Sequence, residues 1–346
     1  MEKVDFYDIE ATEKEFIFQK ISSQMGIPAF AVEKDWWVTK TLSIIFGMSI
    51  AEYLVFKGGT SLSKAWKLIQ RFSEDVDLAI DRTFFGYTGK LSKKQLTALR
   101  KTAGLYSTGP FFEELQDRFL EKGFYGLKFN AVFAEDSDQD PRIIEIYYPN
   151  IIPAPEYVLP RVQIEIGCRS LREPYTVKTF GSLVDEAYPD NYFAAKLIDV
   201  PTVDTERTFL EKLFLLHEEF HRPLHKVRVN RLSRHLYDVY HLSKNGIADR
   251  AIKNRELYET IVAHRYEFSR LGGVNYNYHN PKVLDPLPPL EMMEAWKRDY
   301  KRMLDEMIFE WDAPTFEMLI TNIEEIKEKL VEIEWDFSLE FPASNI

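Results

Sequence analysis

The chain reads as an α+β protein, a mixed β-sheet domain with flanking helices followed by a helical C-terminal domain. Three observations predict this. Three segments, DVDLAI (75–80), RIIEIYYP (142–149) and RVQIEIG (161–167), alternate in the period of two that marks a strand with one buried face. Longer segments between them carry helical periodicity. Past residue 185 the pattern is mostly helical. The expected division is a sheet domain over 1–184 and a helical domain over 185–346.

In order along the chain, Ala29 to Phe46 is predicted helical, Tyr53 to Phe56 a short strand, and Ser61 to Ile69 a helix. Asp75 to Ile80 is the next strand. Two helices near Lys93–Ala103 and Phe111–Lys122 look like surface helices. Strands near 142–148 and 161–166 complete the sheet. The Pro-rich run NPKVLDPLPPLEMMEAW (280–296) is the clearest linker, leading into terminal helices. No internal repeat is evident.

At 346 residues, 45% hydrophobic and 14% aromatic, the chain can bury one large core or two joined ones. Its single cysteine, Cys168, excludes an internal disulfide framework or a Cys-based zinc site and fits a reducing cytosol. The acidic start MEKVDFYDIEATEKEF is no secretory signal. The apolar run WWVTKTLSIIFGMSIAEYLVF is interrupted by Lys40 and Glu52, which marks it as core and not membrane. A cytoplasmic protein without membrane contact is expected.

The formal charge of −11 is concentrated. Residues 283–346 hold 16 acidic and 6 basic side chains, so the remainder is almost neutral. Within it, residues 82–112 lack acids and carry Arg82, Lys90, Lys93, Lys94, Arg100 and Lys101. Residues 220–237 lack acids and carry Arg222, Lys226, Arg228, Arg231 and Arg234. Each is a candidate nucleic-acid surface or a solvated face.

The most informative run is FKGGTSLSKAWKLIQRFSEDVDLAI (56–80). A tight turn at Gly58 and Gly59 leads into a helix, and Asp75 and Asp77 follow two apart on an apolar strand. Positions i and i+2 share a strand face, so the two carboxylates enter one space about 7 Å apart at the backbone. Mg²⁺ is hard, takes oxygen ligands, and is commonly held by one or two carboxylates plus substrate phosphates. A Gly-rich turn ahead of a helix adds backbone N–H groups suited to a triphosphate. A lone DxD or Gly pair is weak; together at this spacing they point to metal-assisted nucleotide chemistry.

These residues resemble the nucleotidyltransferase superfamily, with its Gly-Gly or Gly-Ser turn, helix and DxD strand. More narrowly, KGGTSLSK and RFSEDVDL, with RTFLEKLFLLHEEFHRP (207–223) and RLSRHLYDVYHL (231–242), resemble the AbiEii/AbiGii-type toxins of bacterial toxin–antitoxin and phage-defence systems. The resemblance spans about residues 50–245. The separation of Gly59 from Asp75 is longer than in minimal nucleotidyltransferases.

The resemblance implies an enzyme that moves a nucleoside monophosphate from an NTP onto an acceptor hydroxyl, with Mg²⁺, or Mn²⁺ as the alternative ion. The acceptor it implies is the tRNA 3′ end, with a cognate antitoxin as partner. A protein acceptor, or nucleotide binding without turnover, are the alternatives. Asp75 and Asp77 become metal ligands, and a third carboxylate on a neighbouring strand is expected. Glu165 in RVQIEIG is favoured, with Glu145 in RIIEIYYP competing. The resemblance also places nucleotide-contacting roles on Lys57, Gly58, Gly59, Thr60, Ser61, Arg71, Ser73 and Arg234.

On the helix around 206–220, Phe209, Leu213, Leu216 and Phe220 form an apolar stripe, with Lys212 at its border. By position alone Lys212 is a snorkelling lysine; the resemblance makes it functional, a charge for the triphosphate. Asp238 has Arg234 four residues before it, so a surface ion pair is the plain account, whereas its family counterpart is functional. His217, His235 and His241 are read as packing or capping residues, and no zinc site is assigned.

Overall fold

The computed structural model describes residues 4–72, 75–155 and 158–342. The chain forms two compact units, one of Met1–Ala65 with Ser73–Val203 and the other of Trp66–Phe72 with Asp204–Ile346.

The first unit contains α1 (Ala11–Met25), α2 (Ala29–Ile45), β1 (Leu54–Lys57), α3 (Gly58–Lys64), β2 (Asp75–Ile80), α4 (Lys93–Thr108), α5 (Pro110–Glu121), β3 (Lys128–Ala131), β4 (Arg142–Tyr147), β5 (Arg161–Gly167), β6 (Tyr175–Phe180), α6 (Leu183–Ala187) and β7 (Ile198–Val203). Its seven strands form one sheet in the order β3-β4-β5-β2-β1-β7-β6. The β2/β5 and β1/β7 pairs are parallel and the other four antiparallel. Leu54, Val55 and Phe56 of β1 are wholly buried, as a strand with neighbours on both edges requires. The segment read as core and not membrane is α2 through β1. Trp36, Leu42 and Ile45 on α2 are buried, and no described helix is long and apolar enough to cross a membrane.

The second unit contains α7 (Thr205–Phe220), α8 (Arg234–Lys244), α9 (Ile247–Lys253), α10 (Arg255–Phe268), α11 (Leu290–Glu306) and α12 (Phe316–Val331). It also holds the segment Trp66–Phe72 that joins α3 to β2. That segment is bound by its backbone: Phe72 N–H donates to the Met307 carbonyl at 2.7 Å, and Phe309 N–H donates to the Gln70 carbonyl at 3.0 Å. The long separation of Gly59 from Asp75 is thereby explained. α3 ends at Lys64, short of the helix expected to Ile69, because the residues after Ala65 serve the other unit.

The unit boundary lies after Val203, whereas the sequence reading puts it after residue 184; strand β7 makes the difference. Its Pro201, opposite Val177, disguises IDVPTV as a loop. The Pro-rich run 280–296 is not a linker between units. It lies within the second unit, where Pro281, Leu284 and Trp296 are buried.

Candidate active site

In the first unit the site is built by strand alternation. Val76 and Leu78 of β2, and Val162, Ile164 and Ile166 of β5, point into the core, which leaves Asp75, Asp77, Gln163 and Glu165 half-buried on the opposite face. The register aligns them in rows. Asp77 has Lys57 as partner on β1 and Glu165 on β5, while Asp75 faces Gln163. The Lys57 ammonium lies 4.0 Å from the Asp77 carboxylate, and Gln163 Nε2 donates to Glu165 Oε1 at 3.3 Å.

Gly58 closes over this row with φ +78°, in the left-handed region. A Cβ built there would lie 2.7 Å from Asp77 Cγ and closer still to Oδ2, so only glycine lets the turn approach the carboxylate. Thr60 Oγ donates to the Asp75 carbonyl, and Ser61 Oγ donates to the Gly58 carbonyl at 2.8 Å. Both hydroxyls are thus engaged in shaping the turn, and the groups left for a ligand are the first N–H groups of α3, which lack intrahelical partners.

Burial and the charges of Asp77 and Asp75 push the Glu165 carboxyl up to about 7, against which Lys57 and Gln163 work. Negative charge is therefore undercompensated on this face. Among the described residues no three His, Cys, Asp or Glu side chains form a metal-holding group by themselves. The donor set nevertheless fits a hard cation that takes one or two carboxylates and completes its shell with substrate phosphates. Asp77 and Glu165 lie side by side with Asp75 on the same face, so carboxylate oxygens of that kind are present together.

Glu145 shares this face one strand further out, opposite Gln163. It is occupied: the Arg161 guanidinium pairs with it, Asn130 Nδ2 donates at 2.8 Å and the Tyr147 hydroxyl at 3.0 Å. Of the two candidate third carboxylates, Glu165 is the one in register with Asp77. Ser73 lies outside the described residues.

In the second unit, α7 is buried on nearly every face, so Lys212 is no surface lysine. Its ammonium lies 2.8 Å from Asp238 Oδ2 on α8. Arg71 grips the same carboxylate with Nε to Oδ1 at 2.7 Å and Nη2 to Oδ2 at 2.8 Å. Asp238 is wholly buried, so it is not a surface carboxylate as the i,i+4 spacing to Arg234 suggests. Burial alone raises an aspartate, yet Arg71 and Lys212 hold this one far below its ordinary value. Burial lowers the Lys212 ammonium, with Arg71 and Arg234 adding to the effect and Asp238 opposing it. Arg71 and Lys212 thus share one buried carboxylate, with the half-buried Arg234 acting on the same cluster.

His235, read from the sequence as a packing or capping residue, is buried on α8 with its Nδ1 3.5 Å from the Lys212 ammonium. Of the two basic stretches, 220–237 has Arg222 and Arg228 paired with the buried Glu219 at 3.0 and 2.7 Å, while Lys226 and Arg228 remain exposed. In 82–112, Arg100 pairs with Asp138 at 3.4 Å, while Lys90, Lys93, Lys94 and Lys101 are exposed.

The chain is similar to solved structures of low identity. One is MenT4, a nucleotidyltransferase toxin from Mycobacterium tuberculosis H37Rv, at 15% identity over 92% of this chain and 98% of that one, with a TM-score of 0.42. Another is JHP933 from Helicobacter pylori, at 13% identity over 87% and 92% of the two chains, with a TM-score of 0.41. No curated protein matches. Residues 47–322 match the family described as nucleotidyl transferase AbiEii toxin, type IV TA system. With most of its length inside that match, the chain belongs to the AbiEii nucleotidyltransferase toxin family of type IV toxin–antitoxin systems.

Proposed function

We propose that this nucleotidyltransferase moves a nucleoside monophosphate from an NTP onto an acceptor hydroxyl, most specifically the tRNA 3′ end, in a Mg²⁺-dependent reaction, and that a cognate antitoxin restrains it. The observation that carries the reading is the row Lys57–Asp77–Glu165 under the Gly58 turn. Asp75, Asp77 and Glu165 would hold the ion, which supplies charge neutralisation at the phosphates and lowers the pKa of bound oxygens.

The chain's own groups do the rest. Glu165 would hold the ion or, as the alternative role, accept the proton of an attacking hydroxyl. The α3 N–H groups and Lys57 bind phosphate oxygens, and Lys212, held 2.8 Å from Asp238, counters the charge that develops on transfer. Arg71, clamped on Asp238, fixes that carboxylate and acts on the nucleotide through the charge of the cluster. The exposed Lys90, Lys93, Lys94 and Lys101 suit an RNA backbone, whose binding weakens steeply with salt.

The test is label transfer from each α-labelled NTP, with Mg²⁺, total tRNA and cytosolic protein present. Label at the tRNA 3′ end is expected. Label in protein would replace the acceptor, and NTP binding without any label would replace catalysis by regulation.

A further inference from the structure

We propose that His235 is a positioning residue for Lys212: a neutral imidazole whose Nδ1 accepts one ammonium N–H and so fixes the direction of the donor that remains. The inference rests on the reading of Lys212 as a phosphate-facing group. An ammonium has three N–H donors and free rotation about its last bond. Asp238 Oδ2 takes one at 2.8 Å, which leaves the other two free to swing about that axis. A second acceptor at another bearing removes the freedom, and His235 Nδ1 at 3.5 Å is that acceptor. The contact is long, as contacts in a ligand-free site commonly are before substrate tightens them.

The imidazole can accept only when neutral, with its proton on Nε2. Its surroundings enforce the neutral form. Lys212 faces it from α7, Arg71 from the segment ahead of β2, and Arg234 and Asp238 from its own helix. Burial first, then Lys212 and Arg234, keep it uncharged well below the usual histidine range, with Asp238 opposing. Asp238 Oδ2 already accepts from both Lys212 and Arg71 Nη2, and Oδ1 accepts from Arg71 Nε, so His235 Nδ1 offers the acceptor at a different bearing.

The test compares His235→Leu, which removes the acceptor, with His235→Asn, whose side-chain oxygen replaces Nδ1. Turnover with α-labelled NTP is read alongside Lys212→Met, and the histidine tautomer is read by ¹⁵N NMR of the full-length protein. His235→Leu is expected to lower kcat about ten- to a hundredfold with little change in KM for the NTP, the loss of one hydrogen bond to a charged group. His235→Asn is expected to restore most of it.

The spectrum is expected to show the Nε2–H tautomer at neutral pH and to shift on Lys212→Met. A proton on Nδ1, or equal activity of the Leu and Asn variants, would overturn the proposal while leaving Lys212 in place. An unimpaired Lys212→Met enzyme would remove the reading of Lys212 itself and this proposal with it.

Discussion

The two units treat buried carboxylates in opposite ways. In the sheet unit Glu165, Glu33 and Asp35 all have carboxyls raised above their ordinary values, burial being the largest cause of each. In the helical unit Asp238 and Glu218 are wholly buried and yet both are lowered, Glu218 to about 2. There burial is overcome by fully paired cations, Arg71 and Lys212 on one and Arg265 on the other, whose guanidinium reaches Glu218 at 2.7 and 2.5 Å. Charge is thus left opposed where the strands align Asp77 with Glu165, whereas Asp238 is held by two cations.

The largest effect comes from removing the negative row. Asp77→Ala is expected to lower transfer by on the order of 10³-fold or more, with an unchanged circular-dichroism melt, because Asp77 is half-buried at a strand position that contributes little to the core. Growth arrest on expression should vanish with it. A folded Asp77→Ala protein that still transfers label would break the first half of the comparison. In the helical unit the cost falls on stability instead. Asp238→Ala strands Arg71 and Lys212 without their anion and is expected to cost about 3–5 kcal/mol, read from urea unfolding. A loss below about 1 kcal/mol, the scale of a surface pair, would mean the cluster is solvated.

A pH series sharpens the contrast. His217, His235, His241 and His279, all in the helical unit, are held below the ordinary value of 6.5, mainly by burial. The unfolded chain takes up protons there that the folded unit refuses, so stability present above pH 6.5 is lost as the pH falls. The raised Glu165 has the reverse sign: its contribution is present below its ordinary 4.5 and is lost as pH rises through about 7. Hydrogen exchange followed from pH 7 down to about 5 should therefore show falling protection in α7 and α8 while β2 and β5 hold or gain. A uniform loss would show that the units do not differ in this way.

How much of this was legible in the sequence follows the same division. Strand period exposes Asp75, Asp77 and Glu165, since alternation of β2 and β5 depends only on local pattern, and the structure adds the register that aligns Asp77 with Glu165. Gly58 was legible as a turn, but its contact with Asp77 was not, because that carboxylate lies nineteen positions further along the chain, on another strand. The helical cluster was the harder part. Lys212 looked like a border lysine and Asp238 like half of an i,i+4 pair, because helical-wheel arithmetic sees one helix at a time. Arg71 comes from a segment whose membership in the helical unit no local pattern reveals. The edge strands β3 and β6, short and half-exposed, lack the apolar signal that marks β1, and Pro201 hides β7.

The smallest predicted effect separates two carboxylates that share one face. Glu145 has the strand position of a third ligand, yet Arg161, Asn130 and Tyr147 already occupy its oxygens. Among the described residues Gln163 donates to Glu165 at 3.3 Å and Lys57 favours its charge, while two aspartates repel it. A carboxylate satisfied by its own protein has little to gain from an ion, whereas one whose charge is opposed has much. Glu145→Gln keeps the shape and weakens the Arg161 pair, so it is expected to cost about 1 kcal/mol in urea unfolding and to change the transfer rate less than about twofold. Glu165→Gln should do the reverse, lowering transfer steeply while leaving stability near neutral pH equal or improved, because the buried charge is removed. If Glu145→Gln instead abolishes transfer in a folded protein, the third carboxylate stands one strand further out, and the row under Gly58 consists of Lys57 and Asp77 alone.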